Sequence, residues 1–394
     1  MRILIVGAGI GGPTLAYWLQ RSGHTPTLVE RAPRLRQGGY LIDFWGAGFD
    51  VAERMGIVPD LLEKGYRLRG LREVDADGRT KSFLDPQRMV AGMADRYVTV
   101  ARSDLASAIY GALGGEVETM FDDTVRTIRD DGQRVQVEFA GGAMREFDLV
   151  IGADGLHSSV RRQVFGPDSD YQRDLGIAVA AFDVEGYLRR DELVAVAHAG
   201  VVFQSVRLAL ADGATMFLFT FRHDAPFPED DVAAQQHLLR TSLADAGGEV
   251  PAMLERLPDA RTFYFDEVSQ IRMPSWSQGR VALVGDAAAC PSLLAGQGSA
   301  LAMVEAYELA AELHRSQGDH RAAFAGYERR LAPLVRTKQD AAVGLGAAFA
   351  PRNRAQLLMR NAVLGLMSAL PVVSRFAMRG SLRDPIRLSP PPSG

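Results

Sequence analysis

Residues 1–12 read Met1-Arg2-Ile3-Leu4-Ile5-Val6-Gly7-Ala8-Gly9-Ile10-Gly11-Gly12. The run Ile3 to Val6 shows no polar alternation, so it predicts a strand buried on both faces, as in a parallel sheet. It passes straight into a G-x-G-x-x-G turn. Gly7 permits the tight turn, Gly9 lets the backbone approach a pyrophosphate, and Gly12 lets helix and strand pack closely. Pro13 to Arg21 reads as the helix that follows, its free N–H groups and positive dipole end aimed at phosphates. Gly23 would stop that helix. Thr25 to Glu30 reads as a second strand, ending in an acid placed to bond ribose hydroxyls. A glycine turn alone could be a turn with no ligand. Here strand, turn, helix and acid follow in order, which predicts a βαβ dinucleotide site in a doubly wound α/β sheet. An acid at Glu30 also disfavours a 2′-phosphate, so NADP is not the expected ligand of this turn.

Outward from that start, residues 34–40 (Arg-Leu-Arg-Gln-Gly-Gly-Tyr) form a glycine-containing loop. Ser103 reads as an N-cap, with Asp104 in the first turn of a helix reaching Leu113. Residues 124–139 alternate around Asp131-Gly132, a hairpin signal. Asp148 to Gly152 is another buried strand. Residues 172–270 change character and read as a second, sheet-based domain. In Thr215 to Arg222, Phe217, Phe219 and Phe221 share one face, and Met216, Leu218, Thr220 and Arg222 the other. Residues 281–285 return to the buried-strand pattern. Helices are expected from about Ser299 to Leu313 and from His320 to Thr337. Residues 352–380 are basic and amphipathic, with Pro371 breaking them, and Pro390 to Gly394 should fray.

Two later motifs narrow the dinucleotide. Asp154-Gly155-Leu156-His157-Ser158-Ser159-Val160-Arg161 carries D-G-x-x-S-x-x-R, and Gly285-Asp286-Ala287-Ala288 carries G-D-A-A with Pro291 soon after. With the N-terminal turn, these resemble the three fingerprints of the FAD-dependent aromatic (class A) monooxygenases of the p-hydroxybenzoate hydroxylase fold. Within that group the chain looks most like the tetracycline-inactivating branch. The resemblance covers most of the chain and is weakest over 172–270. It implies an α/β fold with a Rossmann-like FAD-binding domain, an inserted sheet-based substrate domain and C-terminal helices. The expected parts are 1–171 and 271–345 for FAD, 172–270 for substrate, and 346–394 for a C-terminal helical segment and tail.

The resemblance also implies roles. Asp286 would accept a hydrogen bond from the ribityl chain, and Asp154 would face the adenosine side. Arg102 would contact FAD, Asp43 the flavin side, and Arg36 the NADPH phosphate. Gly296-Gln297-Gly298 would set N–H groups by the pyrimidine edge, where donors stabilise negative charge on the reduced ring. FAD, reduced by NADPH or NADH, would deliver oxygen from a C4a-hydroperoxyflavin to a small hydrophobic substrate. The hard chemistry belongs to the cofactor, so no protein acid or base is named as catalytic. Phe217, Phe219 and Phe221, with Pro291 and Leu293 in the loop after G-D-A-A, would line an apolar pocket. The alternative for the Phe stripe is packing against helices. Many relatives carry His after G-D-A-A, where this chain has Ala289; any proton role of that histidine is lost here.

Composition excludes other classes. A net charge of -4 gives no basic surface for nucleic acid. The single cysteine, Cys290, allows no intrachain disulfide and no Cys-based metal cage. No run reaches the roughly 18 apolar residues of a membrane span, and the apolar start Met1 to Ile10 is too short to read as a signal peptide. The expectation is a soluble cytoplasmic protein, a monomer or weak homodimer, without stable membrane insertion or metal. A flavin halogenase would need a W-x-W-x-I-P segment, but Trp18, Trp45 and Trp276 are scattered. A flavin oxidase or dehydrogenase, or a non-catalytic binder of hydrophobic ligands, remain the alternatives to a monooxygenase.

Overall fold

A computed structural model of the chain describes residues 1–35, 40–85, 96–187, 191–210, 213–225, 227–228, 231–370 and 386–392. The N-terminal run forms the strand Arg2–Val6 in the interior of a six-stranded sheet. It pairs in parallel with Thr25–Glu30 on one side and Leu149–Gly152 on the other, which sets Ile5 between Leu28 and Ile151. The helix Gly11–Arg21 supplies the first crossover, and Gly23 follows it at φ 78°. Glu118–Phe121 and Val281–Leu283 extend the sheet outward, and Ser277–Gln278 closes one edge antiparallel. The helix Gly298–Arg315 is buried without a break from Ala300 to Leu313, so it is a core helix of this half. The helix Arg102–Gly111 begins one residue before the expected cap: Ala101 occupies the cap position, and Ser103 lies within the first turn.

The second sheet has seven strands in the order Thr262–Ile271, Gln172–Glu185, Ala214–Arg222, Phe203–Ala209, Val194–Gly200, Gly70–Val74 and Thr80–Leu84. Its last two strands come from a segment that the sequence leaves with the first sheet. They are short and carry Arg72, Glu73 and Lys81, so their strand signal is weak; pairing with Val194–Gly200 makes them strands. One face packs Ala178, Ala180, Phe182, Phe217, Phe219 and Phe221 against the helices Val232–Ser242 and Val250–Glu255 through Leu239, Val250 and Met253. Phe217, Phe219 and Phe221 are therefore core, not pocket lining. Alternation identified which residues share a face, but not which face the helices cover. The opposite face holds Ile177, Val179, Leu218, Tyr264 and Val268, packed with Leu293, Leu294, Phe349 and Ala350.

That inner face also receives the C-terminal part of the chain. The helix His320–Phe349 runs beyond its expected end at Thr337, despite Gly344 and Gly346. Its last turn is held by the sheet: Thr220 Oγ1 donates to Phe349 O at 2.8 Å, and Arg222 Nε to Ala350 O at 2.9 Å. The helix Arg354–Ala369 is pinned by Arg360, which grips the Glu73 carboxylate at 2.7 and 3.1 Å and Gln204 at 3.0 Å. The expected frayed tail begins at Pro390, and its last two residues lie outside the described ones; the residue before it is fixed. Ser389 is buried; its N–H and hydroxyl donate to the two oxygens of Glu308 at 2.8 and 2.7 Å, and its carbonyl accepts from Tyr307 and Arg54, each at 2.7 Å. Among the described residues no helix is long and apolar enough to cross a membrane, and no cluster of ligands could hold a metal.

The packing of the Phe stripe has a measurable consequence. Phe219→Ala should cost about 3–5 kcal/mol of stability in urea unfolding, while FAD affinity stays unchanged. Lost ligand affinity at full stability would return that face to the cleft.

Candidate functional site

The N-terminal turn shows why its glycines are needed. Gly7 sits at φ +107°, and a Cβ there would stand 2.5 Å from the Ala153 carbonyl oxygen. A Cβ on Gly12 would collide with the Gly7 carbonyl. Gly9 is different: a Cβ there would meet nothing within 4 Å, so it borders open space. The helix Gly11–Arg21 starts with no side-chain cap and no acid in its first turn. Its orphan N–H groups thus face the space beside Gly9, an arrangement that fits a pyrophosphate. Glu30 braces the turn from the next strand, accepting from Ala8 N–H at 2.8 Å and Ala32 N–H at 3.0 Å.

The D-G-x-x-S-x-x-R segment is a polar knot behind this turn. Asp154 caps the helix Ser159–Val164, accepting from Ser158 Oγ at 2.5 Å, Ser159 N–H at 2.7 Å and Val160 N–H at 3.2 Å. Arg161 has no exposed surface. Its guanidinium donates to Leu156 O at 2.6 Å, to Asp168 at 2.6 and 3.1 Å, and to Ala287 O at 3.0 Å. Burial opposes the ionisation of Asp168, but Arg161 and Arg162 hold its carboxyl below the usual range. The bond to Ala287 ties this motif to the G-D-A-A turn.

At that turn Gly285 adopts φ +64° and Asp286 opens the short helix Asp286–Ala289. Gly298, at the start of the core helix, lies close by: a Cβ on it would be 3.7 Å from Asp286 Oδ1. Gly296 is left-handed at φ +65° and borders open space. Lys338 donates to the Gln297 side chain between them. Burial pushes the Asp286 carboxyl up, and the nearby Arg102 charge opposes it. Arg102 N–H also donates to Tyr40 O at 3.2 Å. Asp43 is the exposed residue of the ribbon Leu41–Trp45 and Tyr97–Ala101, whose Phe44, Val98 and Val100 are core, and it accepts from Tyr97 and Thr99 at 2.6 Å each. Arg36 lies outside the described residues. The Pro291 carbonyl accepts from Gln270 at 3.0 Å, Ser292 is strained at φ +97°, and Leu293 packs on Leu218 and Tyr264. Gly7, Gly9, Gly12, Glu30 and Asp154 therefore gather on one side, and Arg102, Asp286, Gly296, Gly298, Pro291 and Leu293 on the other. Tyr40, Tyr264 and Asp266, which the sequence reading did not single out, are in contact here: Tyr40 packs on Tyr264, whose hydroxyl donates to Asp266. The last two interrupt the Phe263/Phe265 alternation, and polar residues alternating with core phenylalanines were the available signal.

A family model described as an FAD binding domain matches residues 1–330. A flavin-dependent monooxygenase from an unknown prokaryotic organism is 36% identical over 371 residues, covering 93% of this chain and 96% of its own. The chain belongs to the class A flavoprotein monooxygenases. An uncharacterized protein of Mycobacterium tuberculosis is 40% identical over 348 residues, 86% of this chain and 91% of its own. The crystal structure of tetracycline destructase Tet(51) superposes with a TM-score of 0.80 at 34% identity, covering 95% of this chain and 97% of that one.

In this monooxygenase the cofactor turn rests on a buried acid. Glu305 accepts from Gly285 N–H at 2.6 Å and from Tyr327 at 3.3 Å, while its Oε1 has no partner. Burial raises its pKa from 4.5 to about 8. The native state then keeps a proton that the unfolded chain releases above pH 4.5. Stability should therefore fall as pH rises from there to about 8, and level off above. Glu305→Gln should flatten this decline, improving stability at high pH relative to low by on the order of 5 kcal/mol. Urea unfolding on either side of the window checks it; parallel slopes would assign the pH dependence elsewhere.

Proposed function

We propose that this monooxygenase uses NADPH or NADH and O2 to hydroxylate a hydrophobic, aromatic or polycyclic small molecule. The observation that carries the reading is the apolar inner face of the second sheet, Leu218 with Leu293 and Phe349, set against the loop that follows the G-D-A-A turn. Such a surface suits a flat apolar substrate. The likeness to a tetracycline destructase supports a polycyclic one.

Bound FAD would supply the hydride acceptor and the activation of O2. The chain's own residues bind, orient and exclude water. Gly9 and the N–H groups opening Gly11–Arg21 hold the pyrophosphate, and Glu30 takes the adenosine ribose. Asp154 acts on the adenosine side mainly by fixing the loop against Gly7. Asp286 accepts from the ribityl chain, with Arg102 balancing its charge. The amide groups at Gly296 and Gly298 donate at the pyrimidine edge. Asp43 acts through its ribbon on the flavin side. Arg36 serves the nicotinamide donor's phosphate. Pro291 and Leu293 close over the ring and keep water from the reacting face.

The direct test is NADPH or NADH consumption by FAD-loaded protein in air, across phenolic and polycyclic compounds, with products read by mass. Consumption stimulated by a compound that gains one oxygen atom establishes the reaction. Peroxide as the sole product would make the protein an oxidase, and ligand binding without NAD(P)H oxidation would make it a binder. The cofactor assignments make a separate prediction. Asp286→Ala should weaken FAD binding about tenfold or more through the lost charge-assisted bond, measured by quenching of flavin fluorescence. Unchanged affinity would remove Asp286 from the cofactor site.

A further inference from the structure

Across the inner face of the second sheet, most charged groups are already committed. Glu73 is held by Arg360. Asp183 is held by Thr262 and Arg261. The Arg222 guanidinium is spent on carbonyl oxygens, those of Ala350 at 2.9 Å, Leu175 at 3.3 Å and Gly346 at 3.4 Å. It is therefore not available to receive an anion.

Asp266 stands apart. It lies on the same face, opposite Val179, two residues along the strand from the Tyr264 that packs with Leu218 and Leu293. Tyr264 hydroxyl donates to Asp266 Oδ2 at 2.9 Å, and Glu267 N–H to Oδ1 at 2.8 Å. Tyr40 packs on Tyr264 with centroids 4.9 Å apart, and its backbone carbonyl takes the Arg102 N–H at the cofactor side. Among the described residues, the one basic side chain within 4.0 Å of Asp266 is His157, at 3.9 Å. A carboxylate offers about four acceptor positions. Two are used by donors that fix its orientation, and the side chain remains a quarter exposed. This is a pre-oriented acceptor at the polar edge of an apolar surface.

We propose that Asp266 anchors the substrate, accepting a hydrogen bond from a hydroxyl or protonated amine carried on an apolar ring system. Tyr264 is the positioning residue that holds it. The inference rests on the substrate cleft of the proposed function and deepens it: the carboxylate selects donor-bearing ring compounds and rejects aromatic acids, for which the described residues of this sheet face offer no uncommitted arginine.

Naphthol, its methyl ether and naphthoate separate these cases, titrated into FAD-loaded protein and followed by the flavin absorption spectrum. Wild type should bind naphthol about tenfold more tightly than the ether, and naphthoate weakest. Asp266→Ala should bind naphthol and ether alike and gain affinity for naphthoate. Asp266→Asn should retain part of the naphthol preference while losing the discrimination against naphthoate. Tyr264→Phe should keep the order but narrow the gap. Melting temperature and FAD content are measured for each variant, and the order of affinities within one folded variant is what counts. Equal affinities in wild type, an unchanged order in Asp266→Ala, or no spectral response to any of the compounds would overturn the proposal. Binding is read without turnover. A naphthol bound in the expected order but never oxygenated would sink the reaction and leave the anchor. Oxygenation with an unaltered order in Asp266→Ala would do the reverse.

Discussion

A guanidinium with no access to water must be fully paired, because an uncompensated buried charge costs several kcal/mol. Arg161 meets that requirement through Asp168 and through the carbonyls of Leu156 and Ala287. The consequence is geometric. The loop that Asp154 caps and the turn that carries Asp286 cannot shift apart without stranding the charge. Gly7, seated against the Ala153 carbonyl, brings the N-terminal turn into the same unit. Three segments far apart in the chain thereby become one rigid frame around the open space beside Gly9. A large cofactor bound by many modest contacts needs such a frame, since each contact is worth little once its partners can move.

Much of this frame was legible because its requirements are local. A strand, a turn and a helix that must leave room for phosphates constrain each position from Ile3 to Gly12, and Glu30 falls where the next strand ends. The G-D-A-A turn was legible through its resemblance to a family fingerprint. Arg161 was harder: a basic residue on a short helix reads equally well as solvated surface. Its burial depends on Ala287, which is distant in sequence and offers only a backbone carbonyl, a partner with no sequence signature.

The second sheet shows the opposite balance. Period-two alternation identified Phe217, Phe219 and Phe221 as one face, but the side on which helices lie is a tertiary fact. Leu239, Val250 and Met253 cover the phenylalanines, which leaves the mixed residues of the other face toward Leu293, Leu294 and Phe349. That face is the less hydrophobic one, with Thr220, Arg222, Tyr264 and Asp266 among its aliphatic residues. A core tolerates few unpaired polar groups, whereas a ligand surface uses them. The proposed substrate site thus rests on the polarity scattered along that face and not on the aromatic stripe.

The C-terminal region follows the same logic at longer range. No residue of Arg354–Ala369 is fully buried, and among its large apolar residues only Leu357, Leu364 and Met367 are half-buried, so polar contacts must help dock it. Arg360 does so by reaching Glu73, on a strand almost at the other end of the chain, with both side chains nearly inaccessible. Ser389 is fixed likewise by Glu308 in the middle of the core helix. Composition marks such a tail as loose, because proline, serine and glycine give it no helical or strand pattern. What orders it is a buried acid elsewhere that would otherwise lack a partner. Polar residues late in the chain therefore complete the charge balance of its interior, through partners of which their own sequence gives no hint.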